Sequence, residues 1–391
     1  MTAYPLVLVD GPPRCGKSTM ARQLAASSSA GAILARAGSF EGRRLVAQPL
    51  AISAARPVIL DGATMDEVRM LEKVLIVEHL RQQTGSATMP PAQPTAAPRR
   101  LPHFVLVGGP FLQRAGTTVP APTGTIIAHM SLSPLTLAEV GRGSVRTHWL
   151  RGGYPEVYTA GSDSAALAVR EDLIASMCGE RLRPWGLPDS PTRLASLLSC
   201  LAEGADGTAN ENSLARMLGT SRPTVCRWME GMEGAGIVRR VPRLPGMGGA
   251  RRTIRAPAWH IRDSGLIHGL LGPGSTTDLR SLPRLASASW HAYVLEQTAA
   301  VLDPGTTLGS YQSADGSCID LVLAREGRVM AVSTRFHMPA SPGKGVTLGA
   351  RALGATDCCL VVPEGSPRKA CGSFRILGLA SFLDEVHSSF G

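Results

Sequence analysis

The chain has 391 residues, 44% of them hydrophobic, enough for two or three domains with proper cores. No run approaches the roughly eighteen apolar residues of a membrane helix, and the N-terminus enters an apolar strand with no basic leader or cleavage site. A cytoplasmic protein without membrane contact is therefore expected, and the 40 basic against 30 acidic residues, a net charge of +10, point towards an anionic partner.

The first element is an apolar run, Leu6 to Val9. It leads into Gly11-Pro12-Pro13-Arg14-Cys15-Gly16-Lys17-Ser18-Thr19, the G-x-x-x-x-G-K-S spacing of a phosphate-binding P-loop, and then into a helix-forming run from Met20 to Leu24. Glycines let such a loop turn its N–H groups towards phosphate. Lys17 reaches the same oxygens, and the Ser18 hydroxyl serves Mg²⁺. ATP and Mg²⁺ are the expected ligands, since no Asn-Lys-x-Asp base-reading motif for GTP is present.

Three further apolar runs predict buried parallel strands: Pro57 to Asp61, His103 to Gly109, and Thr125 to Ala128. Asp61 ends the first of these, where a carboxylate orients Mg²⁺. Lys17 and Asp61 are thus the catalytic candidates, with Ser18 and Asp61 the metal candidates. The residue after Asp61 is Gly62, so the Glu that would polarise an attacking water is missing. Asp66 and Glu67 could replace it only if the loop folds back.

Residues 151–190 predict a helical linker with a helix from Ala165 to Arg183, and 191–257 change to short helices with tight turns. Glu211 to Leu218 and Arg222 to Glu233 read as two helices joined at Gly219-Thr220, the second capped by Ser221. Ile237-Val238 and Pro245 to Arg255 resemble the strands and wing of a winged helix. Between 210 and 255 nine arginines face three glutamates, over half of the chain's positive excess. Arg222, Thr224 and Arg227 are the groove-facing candidates for double-stranded DNA, with Arg251 and Arg252 on the wing. A protein-packing module with solvated arginines is the competing reading.

Residues 258–391 return to an α/β pattern, with a helix from Trp290 to Ala300 and strands at 319–324, 329–333 and 358–362. Asp320 suits the strand Asp of a PD-(D/E)XK nuclease core. The Glu-x-Lys that should follow reads Ala331-Val332-Ser333, so nuclease chemistry is not expected. The eight cysteines form no C-x-x-C pair and read as reduced thiols.

Taken in order, these motifs resemble a prokaryotic family of AAA-type ATPases whose C-terminal half joins a winged helix to a PD-(D/E)XK-like fold. The resemblance also covers Leu132 to Glu139, Gly152 to Glu156, Ala258 to Leu266, Glu296 and Asp320 to Leu323. It implies an α/β protein with a parallel P-loop sheet over residues 1–150, followed by the winged helix and a degenerate nuclease-like domain. It implies a homo-oligomer, with Arg114 or Arg151 as an arginine finger from a neighbouring subunit. The departures are Gly62, the replacement of a sensor arginine by Thr125, and Ala331 to Ser333. The function expected is a slow ATPase that couples nucleotide binding to DNA. A non-hydrolysing scaffold for a protein partner, in a defence or toxin-antitoxin setting, is the alternative.

Overall fold

The computed structural model describes all residues except 1–3, 52–55, 84–102, 109–126, 183–184, 189, 205–209, 247–252, 273–278, 280, 338–340, 364–368, 372 and 391. The chain divides into two compact units, 1–133 and 134–391. The division falls earlier than the boundary expected near residue 150.

The first unit is a five-stranded parallel sheet in the order β2-β3-β4-β1-β5. Its strands are β1 Leu6–Asp10, β2 Ile33–Arg36, β3 Val58–Ala63, β4 Phe104–Gly108 and β5 Ile127–Ser131. Side chains alternate between two apolar layers. Leu6, Leu8, Val58, Leu60, Phe104 and Leu106 pack on the side of α2 (Phe40–Ala47) and α3 (Met65–Gln83). Val9, Ile59, Val105 and Val107 pack against Ala21, Met20 and Leu24 of α1 (Lys17–Ser27). Burial on both faces is why these strands read as unbroken apolar runs rather than alternating ones. The last strand of this sheet is described from Ile127 to Ser131, while residues 125 and 126 of the expected run lie outside the described residues, and β2 was not anticipated. As an edge strand it leaves Leu34 and Arg36 exposed and buries only Ala35.

The second unit begins with short helices: α4 Leu137–Val140, α5 Val145–Arg151, α6 Pro155–Tyr158 and α7 Asp163–Ser176. A π turn, Met177–Arg181, follows α7, and the backbone of Gly179 within it leaves helical geometry. The helix expected over 165–183 is therefore broken after Ser176. Helices α8 Pro191–Glu203, α9 Glu211–Met217 and α10 Arg222–Gly234 come next, then an antiparallel pair, β6 Val238–Val241 and β7 Ala258–Ile261, and α11 Ser264–Leu271. Because β7 pairs with β6, the boundary drawn after residue 257 cuts through this two-stranded sheet.

A six-stranded mixed sheet completes the unit, in the order β12-β13-β11-β10-β9-β8. It contains β8 Thr307–Gln312, β9 Cys318–Arg325, β10 Arg328–Thr334, β11 Asp357–Val362, β12 Lys369–Cys371 and β13 Phe374–Gly378. One face packs on α12 (Pro283–Val301) and α14 (Leu379–Phe390) through Trp290, Val294, Leu321, Val332 and Phe382. The other packs on α13 (Lys344–Ala352) through Val346, Val322 and Leu360. Helix α12 starts seven residues before the Trp290 expected, because Pro283 occupies its first turn with the missing N–H where none is needed.

Buried polar joints hold this unit together. Asp263 accepts the N–H groups of Gly153 at 2.7 Å and Leu266 at 2.9 Å, tying the Gly-Gly-Tyr-Pro turn to the start of α11. Thr136 and Glu139 form a capping box on α4, and Gln297 of α12 accepts the Leu137 N–H at 2.7 Å. His268 is fully buried, with Nδ1 3.0 Å from the Leu150 carbonyl and Nε2 3.0 Å from the Ser289 hydroxyl. Burial lowers its pKa to about 4, against the pull of the Leu150 carbonyl. The unfolded chain, with an ordinary histidine, therefore binds a proton that the folded one refuses. This contribution to stability is complete above about pH 6.5 and is lost as pH falls towards 4, at most about 3 kcal/mol. Calorimetric scans between pH 7 and 4 should show the melting temperature falling, and the fall should be shallower in His268→Asn, which is already less stable at pH 7.

Candidate nucleotide site and basic helix pair

The loop between β1 and α1 is built by residues that need unusual backbone. Gly11 has φ of 150°, and a Cβ there would lie 2.1 Å from the Leu132 carbonyl oxygen, so the loop passes too close to the chain leaving β5 for any other residue. Gly16 (φ 110°) and Arg14 (φ 64°) complete the curl. Cys15 is buried in it, its thiol 3.5 Å from the Leu132 carbonyl. Lys17 donates from Nζ to the carbonyls of Gly11 at 2.8 Å and Pro12 at 2.7 Å, which holds the ammonium across the loop. The first N–H groups of α1 have no acceptor within their helix, and that end carries the positive pole of the helix dipole.

Ser18 donates its hydroxyl to Asp61 Oδ1 at 3.1 Å. These two residues, 43 positions apart, are brought together as the two metal candidates should be. Their oxygens are the hard donors that Mg²⁺ takes. Gly62 has φ of 78°, and the β3–β4 register shifts between Asp61 and Ala63. A glutamate at 62 would therefore sit in strained left-handed backbone. Glu67 is not a substitute, because its carboxylate is occupied by the Thr64 N–H at 2.9 Å and the Thr64 hydroxyl, capping α3. Asp66 is exposed. Sequence reasoning passed over Asp10, buried at the end of β1, and His129 on β5, opposite Leu8. Burial lowers the pKa of His129 and Asp10 opposes the shift. An aspartate directly before the first loop glycine was the available signal.

In the second unit α9 and α10 pack as a pair joined at Gly219-Thr220, and Ser221 caps α10 by accepting the Thr224 N–H at 3.3 Å. Arg216, Arg222 and Arg227 are exposed. Thr224 is half-buried, with its hydroxyl 2.8 Å from that of Ser221. The positive excess counted over 210–255 is not all on the surface. Arg239 NH2 donates to Glu296 Oε2 at 3.0 Å, and Arg262 Nε donates to the same oxygen at 2.9 Å. Glu296 is buried. Burial pushes its pKa up, but Arg262 and Arg239 overcome this and hold it at about 2. Glu296 thus clamps β6 and the end of β7 to α12. The Arg240 guanidinium lies 5.9 Å over the Trp259 ring. Arg251 and Arg252 lie outside the described residues, as does Arg114.

Arg151 is committed within its own chain. It donates to Asp163 Oδ1 at 2.8 Å and to the carbonyls of Tyr158 at 3.1 Å and Ala160 at 2.7 Å. Asp320 accepts at Oδ2 from the Ser333 hydroxyl at 2.7 Å, the Thr334 N–H at 2.8 Å and Arg335 NH1 at 3.2 Å. Ala331, at the position of the missing glutamate, is fully buried in the sheet.

A model for a domain of unknown function, DUF8612, matches residues 142–277, which run from the start of α5 past the end of α11. Two proteins described as uncharacterized, Rv2008c of Mycobacterium tuberculosis and Mb2031c of Mycobacterium bovis, are each 29% identical to the chain over 325 residues. The match covers 83% of this chain and 68% of theirs. A solved structure of a Thermotoga maritima RuvB mutant is 17% identical with a TM-score of 0.27, covering 61% of this chain and 83% of its own. That likeness is too slight to carry an argument. Among the described residues no helix is long and apolar enough to cross a membrane.

Two substitutions check these assignments. Gly62→Glu should cost roughly 1–2 kcal/mol of first-unit stability in urea titrations, the penalty of left-handed backbone for a residue with a Cβ. Arg239→Ala should destabilise the second unit by up to about 3–5 kcal/mol, since it strips one partner from a buried carboxylate.

Proposed function

We propose that the chain is an ATP- and Mg²⁺-binding protein of the AAA type, with slow or no hydrolysis, that couples nucleotide binding to engagement of double-stranded DNA. The observation that carries the nucleotide reading is the Ser18–Asp61 hydrogen bond beside the Lys17 loop. Gly11 to Thr19 would hold the phosphates, with Lys17 placing a positive charge on them. Ser18 and Asp61 would hold Mg²⁺, which when bound neutralises phosphate charge. Gly62, and the engagement of Glu67 in a helix cap, support slow turnover, because neither supplies a base to the water.

The DNA reading rests on α9, α10 and the β6–β7 pair as a winged helix, with Arg222 and Arg227 exposed on the second helix. The nuclease-like sheet would contribute structure without cleavage. The second reading, a nucleotide-dependent scaffold for a protein partner in a homo-oligomer, is favoured by the inward-turned Arg239, which reduces the exposed positive charge.

ATP turnover by the purified protein, with and without duplex DNA and with Lys17→Ala as the blank, tests the first reading. The expected steady-state rate is below roughly one per second, and the blank should show none. Duplex binding should weaken steeply with salt and be lost in Arg222→Glu/Arg227→Glu. Duplex binding that survives both reversals would overturn the recognition-helix assignment, and no duplex binding at all would leave the scaffold reading.

A further inference from the structure

A cavity of about 770 Å³ lies wholly within the second unit. That volume is in the range that accepts a small organic ligand. Its floor is Asp320 of β9 with Thr334 and Arg335 at the end of β10, and one wall is the start of α12. Leu271 at the end of α11 and Glu203 at the end of α8 complete it.

The floor is not a metal centre. Asp320 is its one carboxylate, and a single oxygen of that group already accepts from Ser333, Thr334 and Arg335. Among the described residues no three His, Cys, Asp or Glu side chains are grouped to hold an ion. Where a catalytic metal would need ligands, this chain puts a guanidinium.

Three donor groups converge on the cavity. Arg335 is one-third exposed at the floor. Arg284 is exposed and has no ion-pair partner among the described residues. The third is the first turn of α12, a 19-residue helix whose preceding residue, Leu282, supplies no side-chain cap. Pro283 has no N–H and that of Ala286 is bonded to the Leu282 carbonyl, which leaves the N–H groups of Arg284 and Leu285 at the positive pole. His291, with Nδ1 3.2 Å from the Thr334 hydroxyl, adds a polar edge. Asp320 and Arg335 offset one another, and Arg284 and Glu203 are the other charges in the lining. Leu271 and Leu285 supply apolar wall.

We propose that this cavity binds a small phosphate monoester. Its head group would sit among Arg284, Arg335 and the first turn of α12, and its body would lie against Leu271 and Leu285. A phosphate dianion offers several acceptor oxygens in a tetrahedral spread. That suits donors arriving from a strand end, a rim side chain and a helix backbone better than the two coplanar oxygens of a carboxylate. Glu203 suits a hydroxyl or amino group on the body.

The inference is independent of the P-loop reading and is tested with that site disabled. Full-length Lys17→Ala protein is titrated calorimetrically with phenyl phosphate, benzoate and phenol. Phenyl phosphate should saturate one site at millimolar concentration or below, and phenol should not. Arg284→Glu should weaken the binding by about tenfold or more with an unchanged melting temperature. Arg335→Gln should also weaken it, with circular dichroism confirming the fold. No saturable binding, or binding that Arg284→Glu leaves unchanged, would overturn the site. Benzoate binding more tightly than phenyl phosphate would overturn the phosphate assignment.

Discussion

The hydrogen bond from Ser18 to Asp61 exists because two strands that are not neighbours end at the same level. β4 lies between β1 and β3, and Val9 and Asp61 are both in register with its Val107. The chain leaving β1 must therefore turn back over the sheet edge to bring α1 past Asp61. The close approach of Gly11 to the Leu132 carbonyl comes from the other neighbour of β1, where Asp10 pairs with Ser131 of β5. Phosphate loop, lysine and metal oxygens all depend on this register. A one-residue slip of either strand would reverse its alternation and move its apolar side chains to the wrong layer.

The second unit has a corresponding constraint in its buried acids. Glu296 gathers Arg239 and Arg262, and Asp263 gathers the N–H groups of Gly153 and Leu266. Each carboxylate is costly to bury alone, so each is surrounded by donors from elements distant in sequence. Several short motifs that carried the family resemblance turn out to be these joints. The Thr136–Glu139 capping box, the Gly152-Gly153 turn and Asp263 fix helices to one another. Their specificity as a pattern reflects the shared geometry of a framework rather than reaction chemistry.

Charge illustrates the difference between composition and placement. The nine arginines of 210–255 look alike in sequence, yet they serve different ends. Arg222 and Arg227 face solvent, Arg239 neutralises a buried glutamate, and Arg240 lies over an indole ring. Likewise Arg151 is consumed by its own helix neighbourhood, whereas Arg284, unremarkable in sequence, stands at the rim of a cavity.

Sequence alone determined what local chemistry dictates. The glycine spacing with Lys17 and Ser18 located the loop, since only glycines tolerate its backbone. Continuous apolar runs located β1, β3 and β4, because strands buried on both faces have no polar side to display. Ser221 marked the start of α10, because a hydroxyl can cap the helix that follows it. Tertiary structure decided everything that depends on partners far away in the chain. It ended the α7 helix at a π turn and added the edge strand β2. It drew Arg239 inward and placed Arg335 against Asp320. Those outcomes follow from which opposite charge or unfilled donor each side chain meets once the sheets close, and a linear pattern carries no record of that meeting.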